Sequence, residues 1–373
     1  MADSATILIP DISGYTEFLT QTELVHSSHI VNELFEAILA PNEGEFELSE
    51  VEGDALLLYR KGQPLEADAL VRLCLGMFES FHKQVKLIER DAVCQCGACQ
   101  SATNLSLKFI AHHGVVQEIK VRQFTKCAGV DMVVAHRLLK NRIASNEYIL
   151  ATSSCLDSSK LERSAGALAW ERSSDEYPSI GTVHYEYAPL AAVRRSIADP
   201  PPRISHVTAL GDDSVAVEID APMLEVHQLV IDLDRRPEWL AAVERLDRPP
   251  STERIGLRHV CIFHGLTVEW ETVKSEIGED EILYVEEGTI LEKDLRARAS
   301  FVMKRLGERR TFLSFHAKWL SSPEPPQEMT SAILADYTRG LEAIKSLCES
   351  AEVQAGARPP AGPAADGPAP AGR

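Results

Sequence analysis

No stretch of 18 or more consecutive apolar residues occurs in the 373-residue chain, so no membrane-spanning helix is expected. The N-terminus lacks a basic segment followed by a hydrophobic one, the mark of a secretory leader. Strand-like sequence begins almost at once, and a cytoplasmic location is the expectation. Positive charge is in short supply: 38 Lys and Arg stand against 56 Asp and Glu, a net charge of −18. Nucleic acid and anionic bilayers are gripped through clustered cations, so neither is an expected partner. Eight cysteines are spread over the whole length. In a chain read as cytosolic, reduced thiols or a metal site are favoured over a disulfide framework. No short-period repeat is visible.

The length suits two or three domains of roughly 150 residues each. Up to about residue 190, strand and helix patterns alternate. "ATILIP" reads as a buried strand. "SSHIVNELFEAILAP" places Ile30, Val31, Leu34, Phe35 and Ile38 at helical spacing. "FELSEVEGDALLLYR" reads as a hairpin turning at Glu52–Gly53, and "ADALVRLCLGMFESFHKQVKLIE" as a long amphipathic helix. "NLSLKFIAHHGVV" is a strand and "GVDMVVAHRLLKNRI" a helix ending near Asn141. The order β-α-β-β-α-β points to a ferredoxin-like α+β core.

"RRSIADPPPRI", residues 194–204, carries three consecutive prolines, which continue neither a helix nor a central strand. It reads as a linker. Beyond it, "DSVAVEID" alternates as a half-exposed strand, and "APMLEVHQLVIDLDRRPEWL" forms a helix and turn. Five strand-like runs follow between Leu257 and Leu320, and then an amphipathic helix, "SAILADYTRGLEAIKSLCES". One long terminal helix on a curved antiparallel sheet buries its apolar stripe well. The tail, rich in Ala, Pro and Gly, has little to bury and reads as disordered.

Two carboxylates draw attention. Asp11 ends the first strand, and Asp54 follows Gly53 at the hairpin turn. In a β-α-β-β core these segments lie side by side, so both acids can converge on one hard cation such as Mg²⁺. The alternative is a helix cap at Asp11 and a turn residue at Asp54. "VCQCGACQ" places Cys94, Cys96 and Cys99 close enough for one tetrahedral ion. Thiolates favour Zn²⁺ or an iron–sulfur cluster. Cys127 is the first candidate for a fourth ligand, followed by His112 and His113; a redox-sensing thiol pair or incidental loop cysteines are the alternatives. Cys74, Cys155, Cys261 and Cys348 read as core or surface thiols.

These segments resemble class III nucleotidyl cyclase domains. "IPDISGYTEFL" is similar to their F-x-D-I-x-G-F-T opening and "EVEGDALLLY" to their K-F-x-G-D hairpin. "LSLKFIAHHGVV" is similar to their I-G-I-H-x-G strand, and "GVDMVVAHRLLKN" to their G-D-x-V-N-x-A-A-R-L helix. The chain also looks like a bacterial family related to these cyclases, with C-x-C-x-x-C ahead of "LKFIAHHG". The resemblance implies that Asp11, Ile12 and Asp54 hold Mg²⁺ or Mn²⁺ with a nucleoside triphosphate, and that two copies build the site as a homodimer. It assigns base recognition to Glu50 and Lys126, where the usual Lys and Asp are exchanged in charge. Glu50 and Lys126 paired with each other is the alternative there. The transition-state arginine falls on Arg137. The ribose-orienting Asn falls on Val133, a departure from the pattern. His136 and Asp131 lie nearby without a motif role.

"VAVEIDAPMLEVHQLVIDLDRRPEWLAAVERLD" resembles the opening of START-like SRPBCC domains. That resemblance implies a helix-grip fold with a cavity for a hydrophobic small molecule. Trp239 and Trp270 either line it or pack as ordinary core; Glu269 and Glu271 flank Trp270 and share a face, expected to be solvent. The fold expectation is α+β: a ferredoxin-like cyclase-type domain over 1–193, a Pro-rich linker over 194–204, a helix-grip domain over 205–350 and a disordered tail over 351–373. Three functions compete. One is a divergent, metal-dependent cyclase with a ligand-binding domain. Another is an inactive nucleotide- or partner-binding dimer acting as a sensor. The third is a hydrophobic small-molecule binding protein.

Overall fold

The computed structural model describes residues 3–20, 24–94, 100–156, 168–249 and 251–356. The chain divides into two compact units. The first holds residues 1–204 with 250–254, and the second holds 205–249 and 255–373.

In the first unit, β1 (Asp3–Ser13) is buried from Ala5 onward. β1 lies mid-sheet, and an unbroken buried run of this kind needs layers packed on both faces of the sheet. After α1 (Tyr15–Thr20) and α2 (Leu24–Leu39) come β2 (Glu47–Glu52) and β3 (Ala55–Lys61). Then follow α3 (Ala67–Asp91), β4 (Ser106–Val121), β5 (Phe124–Ala128) and α4 (Val130–Leu138). The unit ends with β6 (Tyr148–Thr152), β7 (Glu171–Tyr177), β8 (Gly181–Pro189) and α5 (Ala191–Ser196). The sheet order is β2-β3-β1-β4-β6-β8-β7, with β5 paired to β4. Its β2-β3-β1-β4 portion is antiparallel throughout, the arrangement expected of the β-α-β-β-α-β pattern. β6 runs parallel to β4.

Strand alternation divides β1 between two layers. Ala5, Ile7 and Ile9 join Leu57, Ile110, Met132, Val134, Ala135 and Leu138 in one core with α4. α3 buries Leu70, Val71, Cys74, Met77, Phe78, Phe81, Val85 and Ile88, a helical stripe of spacing three and four. The proline segment is strapped down rather than loose. Lys86 pairs with Asp199 at 2.7 Å, Arg90 donates to the Pro201 carbonyl at 2.8 Å, and Arg203 reaches Asp91 at 2.8 and 2.9 Å. Its first residues, Arg194 to Ser196, belong to α5. The short piece beyond Pro250 belongs to the same unit, where Glu33 accepts from the Thr252 amide at 2.9 Å.

The second unit opens with β9 (Asp213–Ile219), α6 (Met223–Ile231) and α7 (Arg236–Trp239). β10 (Val243–Asp247), β11 (Arg258–Phe263), β12 (Leu266–Ile277), β13 (Glu281–Ile290), β14 (Leu295–Gly307) and β15 (Arg310–Trp319) then meander, and α8 (Gln327–Gly356) closes the unit. All neighbours in the order β10-β11-β12-β13-β14-β15-β9 pair antiparallel. α8 buries Tyr337, Leu341, Ile344 and Cys348, one stripe along the helix. It continues to Gly356, so the first six residues of the expected tail, 351–356, are helical; 357–373 lie outside the described residues. No helix among the described residues is long and apolar enough to cross a membrane.

Candidate functional site

The centre of the first unit's site is β1. Register places Asp11 opposite Ala55 on β3 and Lys108 on β4. The Ile12 amide donates to the Asp54 carbonyl at 2.8 Å, which ties the hairpin turn to β1. Gly53 takes a φ of +67° at that turn, a left-handed conformation suited to glycine. The two acids are thereby neighbours. Burial pushes the Asp11 carboxyl pKa up, Lys108 opposes the shift, and the Asp54 charge adds to it. Tyr15, just past the strand, is raised by burial and by the same Asp54 charge. Lys108 Nζ lies 3.1 Å from Asp11 Oδ1.

Two carboxylates and one ammonium leave a net negative centre. Oxygen donors of this kind fit Mg²⁺ or Mn²⁺, with the remaining coordination positions left for water or phosphate oxygens. The described residues hold no group of three or more His, Cys, Asp or Glu arranged for a metal.

The base-recognition pair is closed on itself. Lys126 Nζ lies 2.6 Å from Glu50 Oε1 and 3.8 Å from Glu52 Oε1. The hydrogen bond to Glu50 raises the Lys126 pKa. Glu52, outside the cyclase-like pattern, also meets His136 Nε2 at 2.7 Å, while His136 Nδ1 faces the Met132 carbonyl at 2.7 Å. Beside this network lies a groove of about 540 Å³. Met132, Val133 and Leu139 line it together with Lys126, His136, Arg137 and Lys140. Arg137 is exposed, and its guanidinium has no ion-pair partner among the described residues. Val133 is 48% exposed where the cyclase pattern has a polar amide.

Asp131 has a definite task. Its Oδ2 accepts from the Val115 amide at 2.6 Å, and its Oδ1 meets His112 Nε2 at 3.0 Å. The other nitrogen of His112 meets Thr152 Oγ1 at 2.9 Å. A Cβ added at Gly114 would sit 2.1 Å from the Asp131 Cγ. Glycine at 114 therefore lets the first turn of α4 dock on β4, and this docking orients the helix that carries His136 and Arg137. The signal lay in the sequence as H-x-G followed by Asp at a helix start.

Of the expected cysteine set, only Cys94 and Cys127 fall among the described residues. Cys94 and Cys127 are both buried. Cys127 faces Glu118 across the β4–β5 pair, with Glu118, Lys61, Glu47 and Glu50 as its charged surroundings. His112 is committed to Asp131 and Thr152, and His113 Nδ1 to Thr6 Oγ1 at 3.1 Å. Cys96 and Cys99 lie outside the described residues.

In the second unit, a cavity of about 440 Å³ lies among β10–β15 and α8. Trp270, Phe263, Phe315, Tyr337, Ile290 and Ile333 contribute apolar wall. Gly288 pairs with Trp270 across β12 and β13, and a Cβ there would come within 2.5 Å of the indole. Trp239 does not line the cavity. It is buried edge-on against Phe301 at 6.1 Å, as ordinary core. Glu269 is exposed, and Glu271 pairs with Arg258 at 2.9 Å.

Arg236, the most buried charged residue of the lining, forms the cavity floor, and behind it lies a polar cluster that no local sequence pattern reports. Arg236 donates to both Glu286 oxygens at 2.9 and 3.1 Å, and Tyr284 donates to Glu286 at 2.8 Å. Arg236 also donates to His259 Nε2 at 3.3 Å. The Arg236 charge holds Glu286 below its usual range despite burial. Burial lowers His259 to about 4, so the imidazole is neutral.

The protein is a mixed α+β chain whose first unit sets one acid on β1 beside another at the neighbouring hairpin turn, and it is similar to solved cyclase domains. The guanylate cyclase domain of RhGC from Catenaria anguillulae in complex with GTP has a TM-score of 0.38 and 16% identity; the match covers 50% of this chain and 97% of that one. The guanylyl cyclase Cya2 gives 0.39 and 17%, over 50% and 92%. The adenylyl cyclase CyaB from P. aeruginosa gives 0.35 and 11%, over 50% and 94%. Residues 31–148 match the family model described as "Protein of unknown function (DUF2652)". The chain is 32% identical over 178 residues to the uncharacterized protein Rv2561/Rv2562 of Mycobacterium tuberculosis, covering 46% of this chain and 76% of that protein. It belongs to that protein's family.

Proposed function

We propose that the first unit is a divergent class III nucleotidyl cyclase-type signalling unit that works as a homodimer on a nucleoside triphosphate. The carrying observation is that strand register and the Ile12–Asp54 backbone hydrogen bond set Asp11 beside the turn that holds Asp54. The four cyclase-like segments add to it. In the reaction, the ribose 3′-oxygen bonds to the α-phosphorus, the bond to the leaving oxygen breaks, and pyrophosphate departs with the cyclic product left behind. Asp11 and Asp54 would hold Mg²⁺ or Mn²⁺, which when bound lowers the pKa of the hydroxyl and screens the phosphates. Arg137 brings an unpaired guanidinium to developing phosphate charge. Glu50 and Lys126 part from each other to meet the base. Exposed Leu48, Val51, Val115, Ile119, Val130 and Val133 support pairing with a second copy.

The test is incubation of the protein and of Asp11→Ala with each of the four triphosphates and Mn²⁺ or Mg²⁺. The expected result is a cyclic nucleotide from one base class, lost in Asp11→Ala. No cyclic product from any triphosphate sinks the catalytic reading. A non-catalytic nucleotide- or partner-binding sensor is then favoured by two features: Val133 at the ribose position and the closed Glu50–Lys126 pair. Calorimetry separates that from no nucleotide binding at all.

For the second unit, the START-like opening, the antiparallel sheet, α8 and the cavity support a helix-grip domain that binds a small apolar molecule.

A further inference from the structure

The cavity of the second unit holds polar groups that a purely apolar ligand would leave unused. Tyr337 lines it at 7% exposure, its ring stacked on Phe315 with centroids 3.6 Å apart and planes at 5°. Its hydroxyl has no hydrogen-bond partner among the described residues. Trp270 also lines it, and its indole N–H has no hydrogen-bond partner among the described residues either. At the floor, Arg236 gives both terminal nitrogens to Glu286, while its Nε is buried without a partner. Indole and guanidinium nitrogens only donate. Burial raises the Tyr337 pKa, so the phenol keeps its proton and can donate as well. An interior with donors to spare is matched by an acceptor oxygen.

The charge balance narrows the ligand further. Arg236 is neutralised by Glu286, and Arg298 donates to Glu287 at 2.7 and 2.9 Å. The two lysines that line the cavity, Lys293 and Lys318, are exposed, as rim residues are. His264 and Asp336 are paired with each other at 2.7 Å. A carboxylate driven to the floor would meet no uncompensated cation there and would lose its hydration. We infer that the cavity takes an uncharged, mainly apolar molecule whose inner end carries a carbonyl-type oxygen accepting from the Tyr337 hydroxyl. The aromatic wall of Trp270, Phe315 and Tyr337 suits a flat ring system. This rests on the reading of the second unit as a ligand-binding domain.

Three probes of one outline test it on the full chain by titration calorimetry: 2-acetylnaphthalene, 2-isopropylnaphthalene and 2-naphthoate. The ketone is expected to bind about five- to tenfold tighter than the hydrocarbon, the yield of one neutral hydrogen bond. The carboxylate is expected to bind more weakly than the ketone. Tyr337→Phe keeps the ring stack; it should bring the ketone down to the hydrocarbon's affinity and leave the hydrocarbon unchanged. Equal affinities for ketone and hydrocarbon overturn the acceptor inference, as does a ketone advantage that survives Tyr337→Phe. A carboxylate that binds best overturns the uncharged class. If neither ketone nor hydrocarbon binds, the ligand-binding reading itself falls.

Discussion

Replacing Glu286 by Gln is expected to destabilise the second unit strongly, and the structure says why. Glu286 and Arg236 are 1% and 3% exposed at their side chains. The carboxylate accepts both guanidinium bonds and the Tyr284 hydroxyl. Glutamine keeps one oxygen but turns an amide donor toward guanidinium donors. The arginine cannot shed its proton, so a buried charge is left unmatched. Breaking such a pair costs about 3–5 kcal/mol, a large share of the 5–15 kcal/mol typical of a domain. Arg236→Met should cost less, because the stranded glutamate can take up a proton and become neutral. The double change Arg236→Met with Glu286→Leu should fall within about 1 kcal/mol of the native protein, since a buried pair is commonly replaceable by apolar groups. Urea unfolding followed by tryptophan fluorescence reads this out, because Trp239, Trp270 and Trp319 all belong to this unit. A loss below about 1 kcal/mol for Glu286→Gln would refute the reasoning. So would a double variant as unstable as the two single changes summed.

Three further outcomes are expected. Gly114→Ala drives a methyl into Asp131 and should cost the first unit about 1–3 kcal/mol, seen as a lowered urea midpoint. Lys108→Met removes the group that holds the Asp11 pKa down, so a carboxyl-carbon NMR titration should find Asp11 protonating at higher pH. Acid should weaken the second unit before its carboxylates titrate. His227 and His259 are held neutral by burial at about 4 each. The unfolded chain takes up these protons first, near pH 6.5. Stability is therefore full above pH 6.5 and falls as pH drops toward 4, by up to about 3 kcal/mol per pH unit for the two together. A urea midpoint constant between pH 6.5 and 4.5 contradicts this.

Periodic features were legible in the sequence. The stripes of α2 and α3, the β2–β3 hairpin and the meander of the second unit all follow spacing rules that hold locally. The adjacency of Asp11 and Asp54 was legible because topology forces it. β5 and β7 were not, since "FTKCA" is short and "ERSSDEY" is exposed on most of its length. An edge strand needs little apolar pattern. Lys108 could have been noticed as a lone cation in a buried strand, yet its partner depends on register. The pairing of Arg236 with Glu286 spans fifty residues, and no local period reports such a contact.

Gly288 stands behind Trp270 and is not itself part of the cavity wall. A methyl there would have to displace the indole, since 2.5 Å is well inside contact distance. Selectivity can therefore be retuned from outside the pocket, as a screw behind a panel moves the panel. A larger residue at 288 calls for a slimmer one at 270, which makes the two positions a matched bump-and-hole set for recruiting a different guest while Tyr337 stays in place.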